Sequence, residues 1–372
     1  MKLGIDCHHI EDQRGIKRYT LALLKEWDNL GYIRDRENKI ICYFKKELPE
    51  FDELPKEVQI VITGSRSTFW FQHIRLTLEA SRDKLDVLFS PSYILPFFYS
   101  RRKKSVVTIH DIVYTVLPNE FDWHSNFDKS YLPKAAYLSA KKATFILTPS
   151  EFMKREIGRV WNINPAKIFV TPLAGDINFA KTQPILPRQD FILFIGSIFN
   201  RRHIAELIHA FYKIVRKEKT LRLIIIGKDL SNPPQHIDDL IEEANYKIAR
   251  EAIVRKDWVG EEELLRLYYS ARALVLLSDY EGFGLPVLEA LSCGLPVVIT
   301  KRGSLPEVAG EAALYVSNPR DIDEITRRLL KILTDGNLRR SLKSKGLKQA
   351  QQFSWSKTAK DTWDILNLAA KS

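Results

Sequence analysis

The stretch SDYEGFGLPVLEALSCGLPVVI, Ser278 to Ile299, leaves a chain few ways to fold. The apolar run ALVLL, Ala273 to Leu277, leads into it and reads as a strand buried on both faces of a parallel sheet. Gly282 and Gly284 then supply a tight turn, and Pro286 has the fixed φ of a first helical residue. Val287 to Cys293 reads as helix, and Gly294 stands where a glycine ends one.

A helix that starts directly after such a loop offers the backbone N–H groups of Phe283, Gly284 and Leu285, with the positive end of its dipole, to a ligand outside the strand's carboxyl end. That is an anion site. Glu281 precedes the helix and Glu289 lies a turn inside it, so the two carboxylates stand about 10 Å apart along the axis. One can face a sugar while the other reaches a ribose hydroxyl.

E-x7-E around GFGLP, followed by GLPVVIT and by SLPEVAGEAALYV from Ser304 to Val316, closely resembles the nucleotide-sugar site of retaining glycosyltransferase family 4. The resemblance implies an α/β chain of the GT-B fold, two Rossmann-like domains facing across a cleft. The C-terminal domain would hold the nucleotide diphosphate sugar and the N-terminal one the acceptor. FSWSKTAKDTWDIL, from Phe353, resembles the family's last helix, which crosses back onto the N-terminal domain.

A length of 372 residues suits two domains, and 45% hydrophobic with 28% charged residues is globular composition. The expected division is an N-terminal domain over 1–180, a linker over 181–189 (its KTQP and LPR lack periodicity), a C-terminal domain over 190–352, and a helix over 353–372 that completes the first. No apolar run approaches the roughly 18 residues that span a bilayer. Met1-Lys2 leads straight into a first strand with no signal-peptide pattern. Cys7, Cys42 and Cys293 are widely spaced in apolar surroundings, which fits a reducing cytoplasm.

The surplus of 57 Lys+Arg over 46 Asp+Glu suggests an anionic partner: nucleic acid, a membrane surface or a phosphorylated substrate. No motif with interleaved aromatic and basic residues points to nucleic acid. TFWFQHIRLTL, from Thr68, and YILPFFY, Tyr93 to Tyr99, carry aromatics near basic residues; most are expected in the core, leaving the run Arg101 to Lys104 for the inner face of the cytoplasmic membrane.

In the first half, a strand from Leu3 to Cys7 and a loop lead into RGIKRYTLALLKEW, whose apolar spacing is helical. The resemblance makes Gly15 a donor-diphosphate contact; Lys17 stands where the family has a second glycine, so Lys17 and Arg18 are candidate phosphate or acceptor contacts. SVVTIHDI ends a strand on His110 and Asp111. The family places this histidine beside the donor sugar and acceptor, and Asp111 is expected to orient the imidazole.

In the second half, FILFIGS and IFNRRHIAELIHAFYKIV match the family's strand, glycine, Arg-Lys pair and helix. Gly196, Arg201 and Arg202 fill those places, with Arg202 for the lysine, and Ser197 replaces a frequent further arginine. A cation facing the glutamate turn would neutralise a diphosphate, and Arg can do so in bidentate fashion. Asp321 and Asp323 form a D-x-D that opens a helix, where capping is the expected role, and His8-His9 has no third ligand at metal spacing.

These readings make the chain a retaining hexosyltransferase, with mannose from GDP-mannose as first choice because GI-x-RYT and FSPSYILP…TIHD resemble the bacterial mannosyltransferase branch. The acceptor would be lipid-linked or a surface polysaccharide. No cofactor or metal is expected besides the donor. The catalytic candidates are His110, Arg202 and Glu281. Rival readings are a UDP- or dTDP-sugar enzyme of this fold, a nucleotide-sugar 2-epimerase, and a non-enzymatic basic protein that binds nucleic acid or a membrane surface.

Overall fold

Short apolar runs bounded by turns make thirteen strands among the described residues, and where such a run is buried along its whole length it needs cover on both faces, which only a parallel sheet clothed in helices provides. In the computed structural model, which describes residues 1–11, 14–47, 53–65, 67–120, 126–175, 189–216 and 218–372, these strands form two sheets. The first holds β1 (Lys2–Asp6), β2 (Lys39–Phe44), β3 (Gln59–Ile62), β4 (Val87–Ser90), β5 (Ser105–Thr108), β6 (Phe145–Thr148) and β7 (Ile168–Val170), in the order β3-β2-β1-β4-β5-β6-β7. The second holds β8 (Phe191–Ile195), β9 (Arg222–Ile226), β10 (Ile253–Lys256), β11 (Ala273–Leu276), β12 (Val297–Thr300) and β13 (Ala313–Val316), in the order β10-β9-β8-β11-β12-β13.

Every pairing is parallel. Strand order reverses between β1 and β4, where Leu3 faces Val87, and between β8 and β11, where Ala273 faces Ile192. These are the two topological switch points, outside whose carboxyl ends such sheets bind ligands. Two Rossmann-like units are therefore present, as expected.

The units divide the chain differently from the sequence reading. One comprises Met1–Ile112, His124–Leu173 and Ser354–Ser372; the other comprises Val113–Trp123 and Ala174–Phe353. Val113–Trp123 thus joins the second unit. Of the expected linker, 181–188 lies outside the described residues.

The last helix, Trp355–Lys371, belongs to the first unit as expected and opens with the Ser354 side chain accepting from Lys357 N–H. It packs on the helix Arg14–Asn29: Trp27 Nε1 donates to Ala359 O at 2.8 Å, and Trp363 stacks on Tyr32 at 4.9 Å between ring centroids. Asp321 caps its helix by accepting from Glu324 N–H, the role expected for the D-x-D, and Ser150 caps Glu151–Trp161 in the same way.

Burial of the aromatic segments follows the expectation only in part. Phe71 and Tyr99 lie in the first unit's core, whereas Phe69, Trp70 and Phe98 are 45%, 54% and 68% exposed. The reason is helical geometry: Thr68 to Arg82 winds continuously, with a π-helical turn at Phe71–Arg75, so one face carries Phe71, Leu76 and Ala80 inward and the opposite face turns out.

Candidate functional site

The turn after β11 is shaped by its own glycines. Gly284 adopts φ +101° as N-cap of the helix Leu285–Ser292, a region that L side chains avoid, and Pro286 follows in the first turn. Helix and turn are as expected, with the start one residue earlier. Ser304, from the SLP segment, draws the turn closed: its Oγ lies 2.8 Å from the carbonyl oxygens of both Glu281 and Phe283. With these carbonyls tied back, the N–H groups of Phe283, Gly284 and Leu285 donate to no acceptor among the described residues. The Phe283 ring is buried against Phe353, so the turn presents backbone to a ligand.

Arg202 comes to this turn from the short 3-10 helix Asn200–Arg202 after β8. Its Nε and Nη2 donate to the two carboxylate oxygens of Glu281 at 2.8 and 3.0 Å, and its Nη1 donates to Ser197 O at 2.8 Å. Gly196 has φ +131°, and a Cβ there would collide with the Arg202 guanidinium, so a side chain is excluded twice over. Burial alone would raise the Glu281 carboxyl, yet the charge and hydrogen bonds of Arg202, with Arg201 beyond, hold it below its usual range. Gly196, Ser197, Arg202, Glu281 and the N–H turn thus converge at the second unit's switch point.

Arg201 is placed otherwise than expected. It is 7% exposed, donating from Nη1 to Glu120 at 3.0 Å and from Nε to Tyr280 O at 3.3 Å. Glu120 lies in Val113–Trp123, the segment that joins the second unit. Held by a carboxylate and a carbonyl, the Arg201 guanidinium braces the turn's entrance.

Glu289 projects from the helix and is 5% exposed, accepting from the Tyr268 hydroxyl at 2.7 Å. Beside the turn, Asp279 gathers Arg302, Arg320 and His203. Burial would lower the His203 pKa, but its hydrogen bonds to Asp279 and Glu206 raise it to about 9. Glu120, Asp279, His203, Ser304 and Tyr268 escaped the sequence reading, since nothing local marks a partner dozens of residues away.

In the first unit, His110 packs edge-on against Tyr19 and Tyr93, at 5.0 and 5.8 Å between centroids. Its Nε2 donates to Pro91 O at 2.8 Å, and burial lowers its pKa to about 4. The ring is therefore neutral near pH 7 and presents Nδ1 as an acceptor. This corrects the role expected of Asp111: the Pro91 carbonyl orients the imidazole, while Asp111 accepts from the Tyr93 hydroxyl at 3.5 Å. Gly15, Lys17 and Arg18 lie in the first turns of Arg14–Asn29; Gly15 is exposed, with open space where a Cβ would stand.

Comparison with known proteins bears on this arrangement. The family models Glycosyltransferase Family 4 and Glycosyl transferases group 1 match residues 13–179 and 177–349. The chain is 35% identical over 308 residues to O-antigen chain mannosyltransferase B of Escherichia coli, spanning 80% of this chain and 78% of that one. The chain belongs to glycosyltransferase family 4.

This glycosyltransferase is also 32% identical over 267 residues to the serotype-specific mannosyltransferase WbdA of Escherichia coli, covering 69% of this chain but only 32% of that longer one. Anabaena HepE, solved in complex with UDP-glucose, shares the fold at a TM-score of 0.71 and 14% identity, over 99% of both chains. Two parallel-sheet Rossmann-like units in a family 4 glycosyltransferase constitute the GT-B fold, in agreement with the sequence reading.

Proposed function

We propose that this glycosyltransferase moves a hexose, mannose from GDP-mannose as first choice, to a lipid-linked or surface-polysaccharide acceptor with retention of anomeric configuration. The observation that carries the donor assignment is the Arg202–Glu281 pair seated against a turn whose N–H groups have no acceptor among the described residues. The relatives' names favour mannose and O-antigen chains, and HepE holds a nucleotide sugar in the same fold.

In this reading the diphosphate lies on the N–H groups of Phe283, Gly284 and Leu285 with Arg202 beside it. Both stabilise the negative charge that develops as the glycosidic C–O bond breaks, the electrostatic contribution that usually dominates such catalysis. Glu281 bonds to sugar hydroxyls and Glu289 to the ribose. The acceptor hydroxyl attacks from the face the diphosphate leaves and passes its proton to a diphosphate oxygen, so no enzymic nucleophile is required. Neutral His110 offers Nδ1 to a sugar hydroxyl. Backbone amides and a guanidinium take the place of a metal on the donor.

On the first unit, Phe97, Phe98 and Leu138 are exposed, and Arg101 and Arg102 are exposed nearby in sequence. We assign this surface to the anionic headgroups of the cytoplasmic membrane's inner face, where a lipid-linked acceptor would be met.

Transfer assays across GDP-, UDP- and dTDP-sugars test the reading. GDP-mannose should support acceptor glycosylation with release of GDP; activity with UDP-sugars alone would refute mannose, and epimerised nucleotide sugar without acceptor glycosylation would refute transfer.

A further inference from the structure

Asp6, His8 and His9 lie at the carboxyl end of β1, beside the reversal of strand order in the first sheet. The sequence offered His8-His9 no third ligand; folding supplies Asp6. One ligand-capable atom from each of the three lies within 4.8 Å of the others. Asp6 is 1% exposed; its Oδ1 meets His8 Nδ1 at 2.5 Å. Its Oδ2 has no partner among the described residues, and neither has His9 Nε2, although both atoms are closed to solvent. Leaving such a group unpaired costs about 1–3 kcal/mol, more when it is charged. His8 and His9 also line a cavity of about 240 Å³ with Thr68, Gln72, Tyr93 and Tyr131.

We propose that Asp6, His8 and His9 bind a divalent transition-metal ion of the zinc class, with its open positions toward this cavity. One carboxylate oxygen and two imidazole nitrogens suit Zn²⁺, whereas Mg²⁺ and Ca²⁺ prefer oxygen alone. Zn²⁺ at about 2.1 Å from each ligand sets the ligand atoms roughly 3.4 Å apart, so rotations moving atoms by about an ångström close the site. The ion takes over Asp6 Oδ2 and His9 Nε2, and its charge pairs with the Asp6 carboxylate. Lys45 is hydrogen-bonded to Thr68 at the cavity wall, and its charge reaches His9. The open positions accept neutral oxygens, such as the vicinal hydroxyls of a saccharide. That last step rests on the acceptor assignment above; metal binding does not.

The test uses the full chain, dialysed against a chelator and titrated calorimetrically with ZnCl₂ alone, and electron paramagnetic resonance after loading with Cu²⁺. Expected are one equivalent of Zn²⁺ bound, coupling to two imidazole nitrogens, and affinity weakened at least tenfold in His9→Ala. His236→Ala, which removes an exposed histidine beside Asp239, should change nothing. No binding, coupling to fewer than two imidazoles, or unchanged affinity in His9→Ala would overturn the site. Should His9→Ala not fold, the nitrogen count on the unaltered chain decides. A chain that binds Zn²⁺ but transfers no sugar would refute the proposed function and leave the metal site standing.

Discussion

Arg202 meets Glu281 edge to edge, two parallel hydrogen bonds of 2.8 and 3.0 Å joining residues 79 positions apart. Such a fork fixes orientation as well as charge. In the proposed reading, this cation, held flat against the glutamate of the N–H turn, receives the diphosphate.

Glu281→Gln keeps the size of the side chain and removes its charge. Turnover is expected to fall at least tenfold, because the amide no longer holds the guanidinium in register or accepts as strongly from a sugar hydroxyl. The thermal midpoint should move by only a few degrees. Steady-state kinetics with a calorimetric melt check both; undiminished turnover would remove Glu281 from the site.

Gly284→Ala tests the turn itself. A side chain at φ +101° is strained, and its Cβ would stand 2.7 Å from Leu305 Cδ2. The expected cost is on the order of 1–3 kcal/mol in denaturant unfolding, with donor affinity reduced as the N–H groups lose alignment.

His203 gives the second unit a pH signature. Its folded pKa of about 9 lies above the ordinary 6.5, so the stability it contributes is fully present below about pH 6.5 and is lost as pH rises through about 9. Allowing for solvent screening, this is worth about 1–2 kcal/mol. His203→Gln should therefore destabilise the protein at pH 6 by that amount and by much less at pH 10, as urea unfolding at both pH values will show.

The strand and helix frame of the second half was legible because its signals are local. ALVLL and the run Leu223 to Ile226 are unbroken and apolar, Gly284-Leu-Pro starts a helix, and Asp321 caps the helix Ile322–Thr334. Other features have no local mark. β4 is four buried residues that follow a helix with only Asp83 to Asp86 between, so no Gly or Pro announces it. Arg201 sits in the family's arginine position, yet Glu120, 81 residues away, claims it. His110 precedes an aspartate that invites the reading of a dyad, but the carbonyl that orients it belongs to Pro91. Phe69 and Trp70 are large enough to suggest a core, and only the phase of their helix turns them outward.

The C-terminal helix is expected to hold the first unit together. Trp363 is 5% exposed between Trp27 and Tyr32. Trp363→Ala should cost about 3–5 kcal/mol, the range for deleting a buried aromatic. A loss under 1 kcal/mol would mean that the helix is only loosely seated.

Calorimetric titration of GDP into the unaltered chain and into Arg202→Ala tests most directly whether the turn and Arg202 form the diphosphate cradle. Dissociation constants should rise at least tenfold in the variant, with both proteins folded by circular dichroism. Equal affinity for GDP in the two proteins, or no binding of GDP, UDP or dTDP by the unaltered chain, would contradict it.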